Sequence, residues 1–374
     1  MVQDAGSRFL VARRDLRDVR VAPDPDAPAE RPLAEGEARL RVAQFAFTAN
    51  NITYAAFGES MHYWSFFPCE DAAWGCIPVW GFAEVTESRA AGLAPGRRIY
   101  GYLPMGTHLV VQPGRVSAAG FADAAPHRAA LAAVYNQYQF CDTDPAYRAD
   151  REALQALLKP LFITSFLIDD FLAEAGFFGA ERVLLSSASS KTAYAAAFCL
   201  ARRAERPRNT GLTSAARIDF VRSLGCYDDV LAYEDVTRLD GQAPAVYVDF
   251  AGSAPLRRAV HGHWEDRLRH SCAVGGTHWD ELGGSGGLPG PKPTLFFAPA
   301  EVARRLAPPP AGWGPAAWQQ RTAEAWQAFV DRVADARSPW LRVQEARGSA
   351  AVEAAYRSVL EGRGDAQAGL MLAL

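Results

Sequence analysis

A run of small and polar residues, SSASSKT at 186–192, separates an apolar strand pattern from a helix pattern. A loop that leads from a strand into a helix can bind phosphate, because the unpaired N–H groups of the first helical turn attract an anion. Glycines normally let the backbone approach the phosphate, and this loop contains none. Serine hydroxyls can donate to phosphate oxygens instead, and a lysine supplies a compact positive charge. The predicted phosphate contacts are Ser187, Ala188, Ser189, Ser190, Lys191 and Thr192.

Two other interpretations of this loop remain open. Ser189 or Ser190 could cap the N-terminus of the helix, leaving Lys191 in solvent. The Lys-Thr ending also occurs in nucleoside triphosphate loops, but the two glycines of that motif would fall on Leu185 and Ser190.

Two aromatic-rich segments carry other side chains that could do chemistry. Segment 134–140, VYNQYQF, contains Tyr135, and we expect it at the junction of two lobes, where ligand pockets are common. Ordinary hinge packing is the alternative. Segment 61–81 is rich in Trp, Tyr and Phe and contains His62, an acid–base candidate. Its rings predict a pocket for a flat or apolar substrate, although core packing explains several of them equally well.

The secondary structure predicted for the chain changes from mostly strands in its first third to helices and strands after it. Alternating apolar and polar residues predict strands over 38–55, 79–88 and 97–113, which indicates a small, mostly β lobe. Helical spacing follows over 150–176, and Pro160 predicts a break in it.

Buried strand patterns then alternate with helix patterns. The four strand-like runs are RVLLSSA, NTGLTS, AVYVDFAG and HSCAVGGT. Such alternation predicts an α/β fold with an open parallel sheet, which binds ligands at the carboxyl ends of its strands. An amphipathic helix is predicted over 318–337, and the tail reads strand, helix, turn and strand.

Length and composition narrow the class of protein. A chain of 374 residues exceeds one hydrophobic core, so two lobes are expected. The net charge of -3, with no basic stripe, argues against nucleic acid or an anionic membrane as partner. No apolar run is long enough to span a bilayer and no signal-peptide core is evident, so we expect a cytoplasmic protein. The six cysteines form no C-x-x-C pair, which argues against a zinc knuckle.

Five segments in the same order resemble the medium-chain dehydrogenase/reductase superfamily, and its zinc-free quinone-oxidoreductase-like branch most closely. They are GFAEVTESRAAGLAPGRRIYGY, RVLLSSASSKTAYAAAFCLAR, DFVRSLGCYDDVLAYEDV, VYVDFAGSAPLR and the C-terminal tail. The serine-rich, lysine-containing loop is similar to that of a small subfamily of unknown function. The resemblance implies a GroES-like, mostly β catalytic lobe over 1–130, a Rossmann-type nucleotide-binding domain over 131–300, and a segment 301–374 that returns to the first lobe.

The zinc-dependent members of this superfamily carry a Gly-His-Glu triplet where this chain has Pro78, Val79 and Trp80. Neither Val79 nor Trp80 can ligate a metal. The sequence therefore predicts that the chain has no catalytic zinc.

The resemblance also implies a cofactor. A serine with a basic residue three positions later commonly holds the 2′-phosphate of NADPH in this family, and Ser214 and Arg217 have that spacing. Gly252 and Gly276 follow later strands of the sheet and complete the expected cofactor contacts. The alternative is that Ser214 caps a helix and Arg217 is a solvated surface residue. NADPH is the favoured cofactor.

In these relatives the loop after the first long strand places an Asn and a Tyr beside the nicotinamide, which points to Asn51 and Tyr54. The expected activity is a zinc-independent, NADPH-dependent reduction of a carbonyl or an activated double bond. Tyr54 would polarise the acceptor, with Tyr135, Asn51 and His62 as the other catalytic candidates. A non-redox lyase or isomerase on the same fold and a non-catalytic nucleotide sensor remain open. A homodimer, joined by extending the parallel sheet, is a further expectation.

Overall fold

Apolar–polar alternation predicts strands in the first third of the chain. The computed structural model, which describes residues 6–274 and 287–374, has them there. The elements are β1 (Ser7–Ala12), β2 (Asp15–Pro23), β3 (Ala38–Phe47), α1 (Ala49–Ala56), β4 (Trp74–Gly75), β5 (Pro78–Ser88), β6 (Arg98–Pro104), β7 (His108–Val111), β8 (Pro113–Gly114), β9 (Gly120–Asp123) and β10 (Gln137–Phe140).

The run 38–55, expected as one strand, is instead a strand followed by a helix. Strand β3 ends at Phe47, and the hydroxyl of Thr48 accepts the N–H of Asn50 to cap α1. Asn51 returns the interaction by accepting the Thr48 N–H at 2.8 Å. This reciprocal capping box starts a helix wherever it forms, and it places Tyr54 on a helix rather than on a strand.

Helix α2 (Glu152–Glu174) runs without interruption through Pro160, so the predicted break is wrong. Proline removes one backbone donor, and the remaining hydrogen bonds and buried side chains such as Leu157 and Phe162 hold the helix together.

Strands and helices alternate after α2. They are β11 (Arg182–Leu185), α3 (Lys191–Ala201), β12 (Arg208–Thr213), α4 (Ile218–Ser223), β13 (Asp229–Ala232), β14 (Ala245–Asp249), α5 (Ala254–Trp264), β15 (Leu268–Ala273), β16 (Thr294–Leu295), α6 (Ala298–Leu306) and α7 (Gly314–Val333). The chain ends with β17 (Arg342–Arg347), α8 (Ser349–Leu360) and β18 (Ala368–Ala373).

The chain divides into two units, Met1–Leu157 with Leu341–Leu374, and Leu158–Trp340. The second unit extends beyond residue 300 because α7 packs in it, with the ring of Phe329 6.3 Å from that of Tyr194 on α3. The C-terminal segment joins the first unit through β18, which pairs antiparallel with β3.

Within the described residues, the first unit has a mixed sheet in the order β17-β18-β3-β5-β6-β10-β9-β8, with β7 beside β3, and a small sheet β2-β1-β4. In the second unit the strands of the described sheet are parallel, in the order β13-β12-β11-β14-β15-β16. This is the doubly wound order 3-2-1-4-5-6, so the predicted Rossmann-type sheet is confirmed. Its core includes Leu184, Leu212, Tyr247 and Trp264. No helix of the described chain is long and apolar enough to cross a membrane.

Two glycine-to-alanine substitutions should have opposite effects on stability. An added Cβ at Gly81 would lie 2.8 Å from Phe45 Cα on β3 and closer still to the Gln44 carbonyl oxygen. Because the backbone of β3 would have to shift to relieve these contacts, Gly81→Ala should lower the free energy of unfolding by about 1–3 kcal/mol. Gly262 lies in α5 with open space around it, and Gly262→Ala should raise stability by up to about 1 kcal/mol. Denaturant unfolding measures both, and equal effects would contradict the register of β3 on β5.

Candidate functional site

The loop between β11 and α3 makes its turn with a strained serine in place of a glycine. Ser187 has a φ of 49°, in the left-handed region that glycine favours. Its carbonyl oxygen accepts the N–H of Ser190 at 2.7 Å, which closes the turn. A non-glycine residue held in this conformation costs about 1–3 kcal/mol and persists where its surroundings fix it.

Ser190 is the N-cap of α3. Its hydroxyl oxygen accepts the N–H of Ala193 at 3.3 Å, so the capping interpretation is confirmed for this residue. Capping uses the oxygen as an acceptor and leaves the hydroxyl proton as a donor. Ser190 can therefore cap the helix and still donate to an anion. Lys191 and Thr192 begin the helix, and both are half-buried.

A hydrogen-bond network anchors the start of the loop to the end of β14. The hydroxyl of Ser186 donates to Asp249 Oδ1 at 2.9 Å and accepts the N–H groups of Phe250 and Ala251 at 2.8 and 2.9 Å. Gly252, at a φ of 73°, donates its N–H to the same carboxylate oxygen at 3.0 Å. β11 and β14 are the central pair of the sheet, from which its connections diverge, and ligands bind there in this class of fold.

Arg257 holds the carboxylate of this network in place. Its Nε and one terminal nitrogen donate to Asp249 Oδ2 at 3.1 and 3.0 Å. Both side chains are buried, with exposed fractions of 10% and 2%. Sequence analysis missed Ser186, Asp249 and Arg257. The signal that could have found them is an aspartate, Asp249, at the end of the apolar run AVYVD.

The next strand limits how the loop can lie. Ala188 donates its N–H to the Leu212 carbonyl at 3.0 Å, and its own carbonyl accepts the Tyr227 hydroxyl at 2.9 Å. A Cβ on Gly211 would lie 2.9 Å from the Ala188 Cβ. The loop therefore rests directly on β12, with Gly211 making room for it.

The predicted 2′-phosphate contacts follow β12. Ser214 precedes a 3₁₀ turn (Ala215–Arg217), and its hydroxyl makes no capping hydrogen bond within the described residues. Ser214 is exposed and Arg217 is half-buried. Ser214 therefore lies at the carboxyl end of β12. Gly276 lies outside the residues that the structure describes.

In the first unit, Asn51 positions the helix that carries Tyr54. Its side-chain oxygen accepts the Thr48 N–H in the capping box, and its nitrogen donates to the Pro78 carbonyl at 3.0 Å. Asn51 is buried, and both ends of its amide are used. It ties α1 to the start of β5, which also carries Trp80.

Tyr54 belongs to an aromatic cluster, which we define as Tyr54, Tyr63, Phe66, Phe67, Trp80, Tyr102 and Tyr135. Tyr102 is its centre, with ring centroids 5.8 Å from Tyr54, 5.1 Å from Trp80 and 4.7 Å from Tyr135. Tyr63 stands 4.5 Å from Tyr54. The structure thus brings together Tyr54 and Tyr135, which were predicted from separate segments, and adds Tyr63 and Tyr102, which sequence reasoning missed.

Burial keeps the phenols of the cluster protonated. It raises the pKa of Tyr54, with the neighbouring Tyr63 phenol acting in the same direction, while the polar groups of Trp80, Asn50 and Tyr102 oppose the rise. Burial likewise raises the pKa of Tyr102 and Tyr135 well above the ordinary value. These hydroxyls are therefore neutral hydrogen-bond donors across the physiological pH range.

His62, a catalytic candidate, and Tyr138, from the same segment as Tyr135, are not members of the aromatic cluster. His62 is exposed, and its φ of 59° makes a left-handed turn before Tyr63. The Tyr138 hydroxyl donates to the Tyr102 carbonyl at 2.8 Å and accepts from Arg128 at 3.1 Å. Both of its interactions are therefore within the protein. No group of three or more His, Cys, Asp or Glu residues is placed to hold a metal in residues 6–274 and 287–374.

A protein-family model matches residues 45–365, most of the chain. Its description is "Protein of unknown function (DUF2855)". The chain belongs to the DUF2855 family. No curated protein matches it.

The fold of this DUF2855 protein is shared with solved reductases. CurA from Vibrio vulnificus in complex with NADPH has a TM-score of 0.62 and 11% identity, with 98% of each chain covered. The quinone oxidoreductase from Thermus thermophilus has a TM-score of 0.54 and 15% identity over 98% of this chain and 100% of that one. CurK enoyl reductase has a TM-score of 0.53 and 14% identity over 99% and 100%. The predicted combination of a GroES-like lobe and a Rossmann-type domain is confirmed.

Removal of Arg257 tests the network beneath the loop. Arg257→Ala would leave the Asp249 carboxylate buried without its cation, which costs about 3–5 kcal/mol. Arg238→Ala is the matched control, because Arg238 pairs with Asp235 on an exposed 3₁₀ turn and should cost less than about 1 kcal/mol. Chemical denaturation measures both. Equal losses in the two variants would show that Arg257 does not support Asp249.

Proposed function

We propose that the chain is a zinc-independent, NADPH-dependent reductase that acts on a carbonyl or an activated double bond of a flat or apolar substrate. The observation that carries the proposal is the loop at the centre of the doubly wound sheet, where Ser187 makes a left-handed turn, Ser190 caps α3 and Lys191 begins it. The solved structures of the same fold include NADPH complexes, which supports this choice of cofactor.

The residues of the second unit fit a dinucleotide. The first turn of α3 offers backbone donors and a lysine to a pyrophosphate, and Ser187 supplies the left-handed turn that a glycine would otherwise make. Ser214 and Arg217 follow β12 and would bind a 2′-phosphate. When bound, the cofactor supplies a hydride.

The residues of the first unit fit the acceptor. The aromatic cluster offers apolar faces to a flat molecule, and Tyr54 offers a hydroxyl that burial keeps protonated. A hydrogen bond from Tyr54 to the acceptor oxygen would withdraw electron density from the reacting carbon. Tyr135 stacks on Tyr102 and faces the same group of phenols, so it would contact the substrate. His62 and Asn51 are the other catalytic candidates. Asn51 would act indirectly, because its hydrogen bonds position the helix α1 that carries Tyr54.

Nucleotide titration of the purified chain tests the proposal. NADPH should bind more tightly than NADH, because only NADPH carries the 2′-phosphate. Lys191→Ala should weaken both nucleotides about tenfold or more, since a charge-assisted hydrogen bond contributes about 1.5–3 kcal/mol. Arg217→Ala should weaken NADPH alone, and Lys292→Ala, at an exposed lysine, should change neither.

Three results would contradict parts of the proposal. Absence of binding at millimolar nucleotide would exclude the reductase and leave a non-redox enzyme. Equal affinity for NADH and NADPH in the parent would remove Ser214 and Arg217 from the site. Binding without turnover of any acceptor would favour the nucleotide sensor.

We propose further that the chain forms a homodimer through the edge of its parallel sheet. β16 is the edge strand of the described sheet, and Leu295 and Phe297 expose 63% and 39% of their surface there. A paired edge would cover apolar side chains that are otherwise in water. Sedimentation analysis should give a dimer for the parent and a monomer for Leu295→Asp, while Val343→Asp, on the exposed outer strand β17 of the other unit, should remain dimeric. A monomeric parent would refute the proposal.

A further inference from the structure

We propose that the hydroxyl of Tyr102 and the indole N–H of Trp80 bind the oxygen atom of the acceptor, and that Tyr54 completes a three-donor site for it. This inference rests on the proposed reductase function and identifies residues that would act on the acceptor. Both donors are buried, and neither has a partner with normal hydrogen-bond geometry within the described residues.

Neither donor forms a hydrogen bond within residues 6–274 and 287–374, although both atoms are buried. Tyr102 has no exposed surface, and it lies at the centre of the aromatic cluster. A buried donor without a partner costs about 1–3 kcal/mol, and buried polar groups in native proteins are almost always paired. Two such groups side by side indicate that they serve a partner from outside the chain.

The sheet places the two donors next to each other. Trp80 on β5 and Tyr102 on β6 are direct cross-strand partners, so their side chains lie on the same face. Their ring centroids are 5.1 Å apart. Strands hold side chains more rigidly than loops do, which is the support that a binding site for one atom requires.

Tyr54 approaches the same place from α1. The polar groups of Trp80 and Tyr102 both interact with its hydroxyl, although neither reaches a partner with normal hydrogen-bond geometry within the described residues. The polar ends of the three side chains therefore lie close together. A carbonyl oxygen has two lone pairs, and a developing oxyanion can accept a third hydrogen bond.

The surrounding rings define the group that carries this oxygen. Phe66 lies 5.2 Å from Tyr102 and 5.3 Å from Tyr135, both edge-on, and Tyr135 stacks on Tyr102. Aromatic walls of this kind suit a flat conjugated group whose carbonyl oxygen projects from its edge.

In the proposed reduction, the acceptor carbon would receive the hydride that bound NADPH supplies, and the cofactor would be oxidised in turn. The π bond of the acceptor breaks, and its electron pair moves to the oxygen. Tyr54, Tyr102 and Trp80 stabilise that oxyanion by hydrogen bonds, and a proton from solvent completes the product.

The test uses 4-nitrophenol, a flat ring whose phenolate oxygen resembles the oxyanion and whose visible absorbance reports binding. No nucleotide is needed, so the measurement is independent of NADPH. Tyr102→Phe and Trp80→Phe should each weaken phenolate binding to the full-length chain about tenfold, the loss of one charge-assisted hydrogen bond. Tyr147→Phe is the matched control, because its hydroxyl donates to Glu152 at 2.7 Å, and it should bind as the parent does.

Thermal unfolding separates binding from structure. Tyr102→Phe removes a buried donor that has no partner, so its melting temperature should equal or exceed that of the parent. Weaker binding together with unchanged or higher stability supports the oxygen site. A parent that does not bind the probe, variants that bind it as tightly as the parent, or a fall in stability that parallels the fall in affinity would each overturn it.

The outcome is distinct from that of the reductase proposal. Phenolate binding that depends on Tyr102, in a protein that binds no NADPH, would keep the oxygen site and refute the reductase. NADPH binding with phenolate affinity unchanged in the variants would keep the reductase and refute the oxygen site.

Discussion

The turn from β11 into α3 is the constraint on which the candidate nucleotide site depends. A glycine would make this turn without cost, and the chain makes it with Ser187 in a left-handed conformation. The surrounding contacts hold it there: Ser186 is fixed to Asp249 below, and Ala188 is fixed between Leu212 and Tyr227 beside it. Arg257 neutralises the one buried carboxylate that this arrangement requires. The serine-rich loop is thus a supported turn, and its strain is balanced by contacts with β14, β12 and Tyr227.

In the proposed reaction, the aromatic cluster would stabilise negative charge on oxygen with residues that are themselves uncharged. Burial keeps the phenols of Tyr54, Tyr102 and Tyr135 protonated. Neutral donors in a region with little water act more strongly on a developing charge than the same groups do in solvent. In the proposed site, the indole N–H of Trp80 would add a further uncharged donor to those of Tyr54 and Tyr102.

Sequence patterns predicted the class of fold because period-two and period-3.6 patterns are local. They failed at two places. The capping box of Thr48 and Asn51 begins a helix where the pattern predicts the end of a strand. Helix α2 continues through Pro160, where the sequence predicts a break. The short strand β13 was missed because only four residues form it and they are half-buried or buried without alternation.

The candidate site was predictable only in part. The loop 187–192 was predicted from its unusual residue types, and Tyr54 was predicted from the resemblance to relatives that place a tyrosine beside the nicotinamide. Ser186, Asp249 and Arg257 were missed because their roles arise from pairing between β11 and β14, which brings together residues more than 60 positions apart. Tyr102 was missed because a tyrosine inside an apolar strand is indistinguishable from core until the burial and pairing of its hydroxyl are known.

Transfer of label from deuterated NADPH tests the central claim most directly. The purified chain would be incubated with NADPH carrying deuterium at the reactive carbon of the nicotinamide and a set of flat conjugated carbonyl compounds, and the products examined by mass spectrometry. The account predicts one deuterium in a reduced product, with the transfer slowed in Tyr54→Phe and abolished in Lys191→Ala at low nucleotide concentration. Deuterium retained on a nucleotide that is nevertheless bound, for every acceptor tested, would contradict it.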